Sequence, residues 1–285
     1  MTKEKYSVLT TVYAKEKPDY LKQCLDSMLA QTVPPDEYVL VEDGPLPAEL
    51  EEVVKSYAAK YPIFKIVKLD VNGGCGPASI AGMKACTNDL VARIDSDDIS
   101  LPNRCEQELA MFEKEPDLVV VGSDMYEFEK DPNHITAIKK MPVTPEEIYR
   151  FGKRRNPFNH STVMMRKSVV EKCGGYAPLR RSLDLELFTK LLFQGCKCRN
   201  IPQPLVKFRA GSAVLQRKKN WTDFACDLSV YKRNYKQKYI GLADYLYIVF
   251  RQMVLFILPV SVANVIYNKL YRQSVKPGPR TEESL

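Results

Sequence analysis

From Tyr6 to Ile94 the chain alternates short β-branched or aromatic runs with apolar residues at helical spacing. No other feature restricts its fold as much. Tyr6–Tyr13 (YSVLTTVY) reads as a strand, and after Pro18, a helix-start residue, Leu21, Cys24, Leu25, Met28 and Leu29 recur at helical spacing. Tyr38–Val41 is a second buried strand, Leu50, Val53, Val54 and Tyr57 mark a second helix, and Phe64–Leu69 is a third strand. Asn72-Gly73-Gly74-Cys75-Gly76-Pro77 then opens a helix to about Cys86, which leads to the apolar run Leu90–Ile94. Such alternation builds βαβ units and a parallel sheet.

The runs end on polar residues. The fourth breaks into Asp95, Ser96, Asp97 and Asp98, followed by a proline at 102. In open α/β sheets ligands bind just outside the carboxyl ends of the strands. Carboxylates packed this closely repel: two unit charges about 4 Å apart cost roughly 4 kcal/mol at an effective dielectric near 20. The loop therefore calls for a cation or several donors, and hard oxygen ligands suit Mg²⁺ or Mn²⁺ shared with substrate phosphates. An acidic turn capping the next helix is the plain alternative. The glycine turn at 73–76 lacks a P-loop or dinucleotide pattern, so it reads equally as a phosphate cradle or as a turn into a packed helix.

At 285 residues with 45% hydrophobic and 27% charged side chains, the chain has the composition of an ordinary globular protein. Its net charge of +7 is uneven, with Arg150–Arg155, Arg180–Arg181, Arg217–Lys219 and Lys232–Lys238 all in the second half. That asymmetry suits an anionic partner, either a phosphorylated substrate or a membrane surface. Without a recognition motif, nucleic acid is not expected. The eight cysteines lack metal-site spacing and Met1–Tyr6 lacks the apolar segment of a signal peptide, so reduced thiols in a cytoplasmic protein are expected.

Beyond the acidic loop, Pro102–Glu115 reads as a helix, Leu118–Gly122 as a buried strand and Asp124–Ile138 as a hairpin leaving the main sheet. His160 stands just ahead of a further strand, Ser182–Gln194 is a helix beginning near Asp184, and Pro204–Arg209 is a last strand. Lys218–Gly241 is basic and aromatic at helical spacing. Met253–Tyr267 is uncharged but interrupted by Pro259, and Arg251, Lys269 and Arg272 flank it. As a helix it would run about 22 Å, short of the roughly 30 Å of a bilayer core. A helix lying in the headgroup plane is the expectation. The domains are expected as a catalytic unit at 1–215, a basic and apolar helical region at 216–273 and a disordered tail at 274–285.

The motifs SVLTTVY (Ser7–Tyr13), LDSMLAQT (Leu25–Thr32), VLVEDGP (Val39–Pro45), RIDSDDISLPNR (Arg93–Arg104) and NHSTVMMRKS (Asn159–Ser168), with the Asp184 helix, resemble the family 2 glycosyltransferases. The likeness is to bacterial members that build capsule, exopolysaccharide and O-antigen units, of the amylovoran-type group, and covers about Ser7 to Arg209. It implies a GT-A fold, a doubly wound and mostly parallel sheet flanked by helices, with a C-terminal membrane-associating segment. It also implies a nucleotide-diphosphate sugar donor, usually a UDP-sugar. Thr11, Val12 and Tyr13 would line the nucleoside pocket and Asp43 would accept the base N–H. Asp95 and Asp97 correspond to the D-x-D that reaches ribose and metal, with Ser96 between them in the nucleotide-sugar site and Asp98 as an additional metal ligand. Asp184 matches the general base of inverting relatives. Where the family carries an acidic pair, this chain has Leu183-Asp184, and Glu186 is the fallback.

The expected acceptor is a polyprenyl-diphosphate-linked saccharide met at the cytoplasmic face of a bacterial membrane. Two rivals stand beside this reading. A nucleotidyltransferase would carry a glycine-rich loop where this chain has TTVYAK. A non-catalytic nucleotide-sugar sensor or assembly partner would bind UDP without turnover. Single residues also have plainer readings: Tyr13 as a packed strand aromatic, Asp43 as a turn residue, His160 as a hydrogen-bonded structural histidine and Asp184 as a helix N-cap.

Overall fold

The structure, a computed structural model, describes residues 4–210, 221–258, 262 and 273–274. Its first half follows the alternation: β1 (Tyr6–Val12), α1 (Pro18–Leu29), β2 (Glu37–Glu42), α2 (Ala48–Lys60), β3 (Phe64–Lys68), α3 (Cys75–Ala85) and β4 (Leu90–Arg93). β3, β2, β1 and β4 lie side by side and all pair in parallel. Both faces of this sheet are covered, which is why its strands read as unbroken apolar runs. Val8 and Val12 face the layer built by α1 and α2, while Leu9, one residue out of phase, faces α3. α3 lies close because Gly82 has no side chain: a Cβ there would run into Leu9 and Val41.

The second half departs from the expected mostly parallel sheet. β5 (Ile99–Ser100), α4 (Arg104–Lys114), β6 (Val120–Phe128), β7 (Ile135–Lys139), α5 (Pro145–Gly152), β8 (Met164–Arg166), α6 (Lys167–Lys172), α7 (Leu183–Phe193) and β9 (Cys198–Arg209) follow in order. β8 runs antiparallel between β4 and β6, β7 is antiparallel to β6, and β9 pairs parallel with β6 and antiparallel with β5. The sheet is therefore mixed. Nor does a hairpin leave it at Asp124, because β6 runs on to Phe128 and takes β7 as an in-sheet neighbour.

α8 (Trp221–Lys236) and α9 (Leu242–Ile257) follow, and β10 (Gln273–Ser274) pairs with β7. The expected C-terminal membrane-associating segment needs correction. Among the described residues no helix is long and apolar enough to cross a membrane. Trp221, Phe224 and Phe256 form a cluster that joins the two helices, with centroids 5.1–5.7 Å apart, and Tyr235 stacks on Tyr245. Val230, Tyr231, Tyr239, Ile240 and Ile248 join the core beneath α7. The remainder of the apolar stretch after Leu258, and the tail at 275–285, lie outside the described residues.

Candidate active site

The carboxyl ends of β1, β2 and β4 open on one crevice, and a buried cation ties the ends of β1 and β4 together. Arg93, the last residue of β4, is 1% exposed. Its guanidinium donates to the carbonyls of Leu9 and Ile94 and to Thr11 Oγ1 (3.0 Å), and pairs with Asp95 Oδ1 at 2.7 Å. A charge removed from water needs this many partners. Thr11 thus faces the crevice with its hydroxyl engaged. Val12 points into the core, so only its backbone reaches the strand end, where its carbonyl accepts from Asp43 N. Tyr13 is 43% exposed rather than packed.

Asp43 is 5% exposed and is held by the glycine turn: Gly73 N donates to Oδ1 at 2.8 Å, and Gly74 N to Oδ2 at 3.0 Å. Gly74 sits at φ +89°, a conformation that excludes most side chains. The turn therefore anchors a carboxylate of the protein itself.

The loop after β4 orders its carboxylates by depth. Asp95 is half-exposed at the rim, and its amide donates to Ser161 Oγ. Ser96 Oγ donates to Glu16 Oε2 at 2.5 Å. Asp97 is half-buried, and burial, then Asp95, then Glu16, push its carboxyl up to about 7. Asp98 is fully buried beneath it, with Oδ1 accepting from Arg209 N at 3.0 Å. Burial and the neighbouring Asp97 and Asp95 raise it well above the usual carboxylate range. Arg209, at the end of β9, also donates from Nε to the Asp97 carbonyl and packs between the rings of Tyr20 and Phe128.

Across the crevice, His160 and Tyr176 form a buried pair, Nε2 to Oη at 2.8 Å. Burial first, then Arg93, hold the imidazole below its usual value, against the opposing pull of Asp95 and Asp184. Both carboxylates thus border this neutral histidine, which fits its plain structural reading. Asp184 lies inside the first turn of α7, not at its N-cap, which is Ser182. Asn156 Nδ2 donates to Asp184 Oδ2 at 2.6 Å. Glu186 is turned away: it is buried and paired with Arg233 Nη1 at 2.6 Å and with Lys190 at 3.4 Å. That removes it as a substitute for Asp184.

The strand-end carboxylates and the single carboxylate of Asp184 thus both act on His160, and comparison with known proteins shows what family builds such a site. Residues 7–188 match the family described as Glycosyl transferase family 2. The chain belongs to this family. It is 36% identical, over 93% of its length and 98% of the relative, to the amylovoran biosynthesis glycosyltransferase AmsE of Erwinia amylovora. It is 34% identical, over 94% of its length and 97% of the relative, to the UDP-Gal:alpha-D-GlcNAc-diphosphoundecaprenol beta-1,3-galactosyltransferase of Escherichia coli. The S. aureus TarS structure solved with UDP-GlcNAc shares the fold, with a TM-score of 0.63 at 18% identity over 93% of this chain and 75% of that one. The architecture is that of a GT-A-like glycosyltransferase with a mixed sheet.

In this glycosyltransferase no group of three or more His, Cys, Asp or Glu converges as a self-contained metal site among the described residues. The donor set nevertheless fits a hard cation that takes one or two carboxylates and completes its shell with substrate phosphates. Asp97 is a carboxyl whose ionisation is opposed first by burial and then by Asp95 and Glu16, and a cation would offset both. Asp98 is turned inward onto the Arg209 amide and is poorly placed to share it. The sequence reading passed over Arg93, Arg209, Glu16 and Asn156. Arg93 left a trace, a charge inside an apolar strand, which is seldom buried without partners. The others left none.

Proposed function

We propose that this glycosyltransferase moves one sugar from a UDP-sugar, with inversion, to a polyprenyl-diphosphate-linked saccharide during assembly of a bacterial capsule, exopolysaccharide or O-antigen. The observation that carries the reading is the arrangement of Asp43, Asp95 and Asp97 at the ends of parallel strands and Asp184 on α7, with both Asp95 and Asp184 bordering His160. The names of the relatives from Erwinia amylovora, an amylovoran biosynthesis enzyme, and from Escherichia coli, which acts on a diphosphoundecaprenol-linked sugar, support this class of product and acceptor.

In this reading Thr11, Tyr13 and the Val12 backbone border the nucleoside, Asp43 faces the base from its glycine anchor, and Asp95 and Ser96 meet the ribose side of the donor. Asp97 would hold Mg²⁺ or Mn²⁺, and such an ion would supply a Lewis acid at the departing phosphate. Asp184 takes the proton from the acceptor hydroxyl as that oxygen attacks the anomeric carbon. One base and one displacement invert the centre, so an α-linked donor gives a β-linkage. The burial of Glu186 in ion pairs supports Asp184 over it in this role. The enzyme would work at the cytoplasmic face of the membrane, brought there by its lipid-linked acceptor.

The test is a transfer screen on the full chain. UDP-, GDP- and dTDP-sugars are offered with a GlcNAc-diphosphate-lipid and with lipid extracts, with Mn²⁺ or with chelator, and the new linkage is assigned by NMR. A β-linked product formed from a UDP-sugar only with Mn²⁺ is expected. An α-linked product would reject inversion. UDP binding with no transfer to any acceptor would favour the sensor.

A further inference from the structure

We propose that Asn156 is a positioning residue for Asp184, fixing one carboxylate oxygen so that the other faces the acceptor hydroxyl. The inference rests on the reading of Asp184 as the base. The bond from Asn156 Nδ2 to Asp184 Oδ2, at 2.6 Å, joins residues 28 apart in the chain. It is short even for a bond to a carboxylate.

The amide is held from its other side as well. Phe158 N donates to Asn156 Oδ1 at 3.3 Å, which turns the NH₂ group toward Asp184. Asn156 precedes Pro157, and a residue before proline is confined to extended backbone. The Pro157 carbonyl accepts from Asn200 Nδ2 at 3.1 Å, so β9 pins the segment. Phe158, 2% exposed, packs its ring 4.8 Å from that of Phe188 on α7, the helix that carries Asp184. Donor and acceptor therefore ride on elements packed against each other, and the bond does not depend on a loose loop.

No second acid sits beside Asp184 to do this work. Leu183 is 6% exposed and belongs to the core, and Glu186 is committed to Arg233 and Lys190. An amide is well suited to the place. It donates to the ionised form of a carboxylate without adding charge, whereas a neighbouring carboxylate would raise the pH at which Asp184 ionises. Fixing Oδ2 also limits rotation of the group, and misplacing a catalytic atom by about 1 Å can cost on the order of 10²-fold in rate.

The experiment measures kcat, donor KM and their pH dependence for the full chain on the donor and acceptor pair found in the screen above. Asn156→Ala, Asn156→Asp and Asp184→Asn are compared, with UDP binding by calorimetry as the check on folding. For Asn156→Ala we expect kcat to fall about 10- to 100-fold, donor KM to stay within about twofold, and the acid limb of the kcat profile to move to higher pH. For Asn156→Asp, nearly the same shape as asparagine, the acid limb should move further in the same direction, because two carboxylates then share the site. An unchanged acid limb in the variants that bind UDP, or an equal loss in kcat and in donor affinity, overturns the positioning role. If Asn156→Ala no longer binds UDP, Asn156→Asp decides by the same criterion. Asp184→Asn separates the two claims: if it still transfers sugar, the base assignment itself falls, whereas an inactive Asp184→Asn beside an unaltered Asn156→Ala sinks only the inference made here.

Discussion

The two walls of the crevice are built on different plans. On the wall made by β1, β2 and β4, carboxylates are held by backbone N–H groups or a buried cation: Asp43 by Gly73 and Gly74, Asp98 by the Arg209 amide, and Asp95 at the rim by Arg93. On the wall made by α7, Asp184 is held by a side-chain amide, Glu186 is buried in ion pairs with Arg233 and Lys190, and Arg181 with Asp223 and Arg154 with Asp244 form more exposed pairs. Backbone anchors tolerate few substitutions, because the geometry belongs to the fold rather than to one residue. Side-chain anchors can be exchanged.

The sharpest way to break that contrast is to remove charge from the donor wall. Asp97→Ala should lower transfer by about 10³-fold, since a Lewis acid at a departing phosphate is worth several kcal/mol. The same substitution should abolish any dependence of UDP affinity on Mn²⁺, measured by calorimetry. If UDP binds equally with and without chelator in both forms, the donor wall holds no cation and the contrast loses its chemical basis.

Next in size is the anchor itself. Arg93→Met leaves the carbonyls of Leu9 and Ile94, the Thr11 hydroxyl and Asp95 without their shared partner. Breaking a buried charge cluster from one side costs about 3–5 kcal/mol. Chemical unfolding should show that loss, whereas Arg181→Met on the other wall should cost at most about 1 kcal/mol because its ion pair is surface-exposed. Equal losses would mean the two walls are not built differently.

How much of this could be read beforehand differs between the walls in the same way. β1 to β4 announced themselves because strands covered on both faces must be apolar throughout, and because their ends carry the polar residues. The other half was obscure for physical reasons. β5 and β8 have two and three residues, too short to show a period. β6 takes partners from β7, β8 and β9, and that pairing is a matter of tertiary register. Asp184 could be singled out only by likeness to a family, and nothing in the sequence linked it to Asn156. Near the C-terminus an apolar run does not say how much of it one helix carries: the helix ends at Ile257, and among the described residues none is long and apolar enough to cross a membrane.

A smaller effect comes from the raised Asp97. Its carboxyl holds a proton more readily in the folded chain than in the unfolded one, so the stability this gives is complete below about pH 4 and is lost as pH rises through about 7. Without divalent cation, the melting temperature of the wild type should therefore fall between pH 5 and 8 relative to Asp97→Asn, by roughly 3 °C. Mn²⁺ with UDP at pH 8 should restore the wild type and leave the variant where it was. A gap between the two proteins that stays constant with pH would show that Asp97 ionises as it does in water.

The mildest change probes whether the donor wall depends on side chains at all. Thr11 touches the crevice through its hydroxyl, which accepts from Arg93 Nη2 at 3.0 Å. Thr11→Val keeps the shape and the β-branched strand preference and removes the acceptor, leaving three other partners around the guanidinium. A hydrogen bond to a charged group is worth about 1.5–3 kcal/mol, but one of several around a buried cation can be made up in part by its neighbours. A rise of about threefold in donor KM with kcat unchanged is expected. If backbone anchors dominate this wall, the substitution should disturb donor binding less than Asp43→Ala does, because Asp43 fixes the turn at Gly73 and Gly74. A Thr11→Val variant crippled as badly as Asp43→Ala would place the nucleoside pocket in the hands of single side chains, as on the opposite wall.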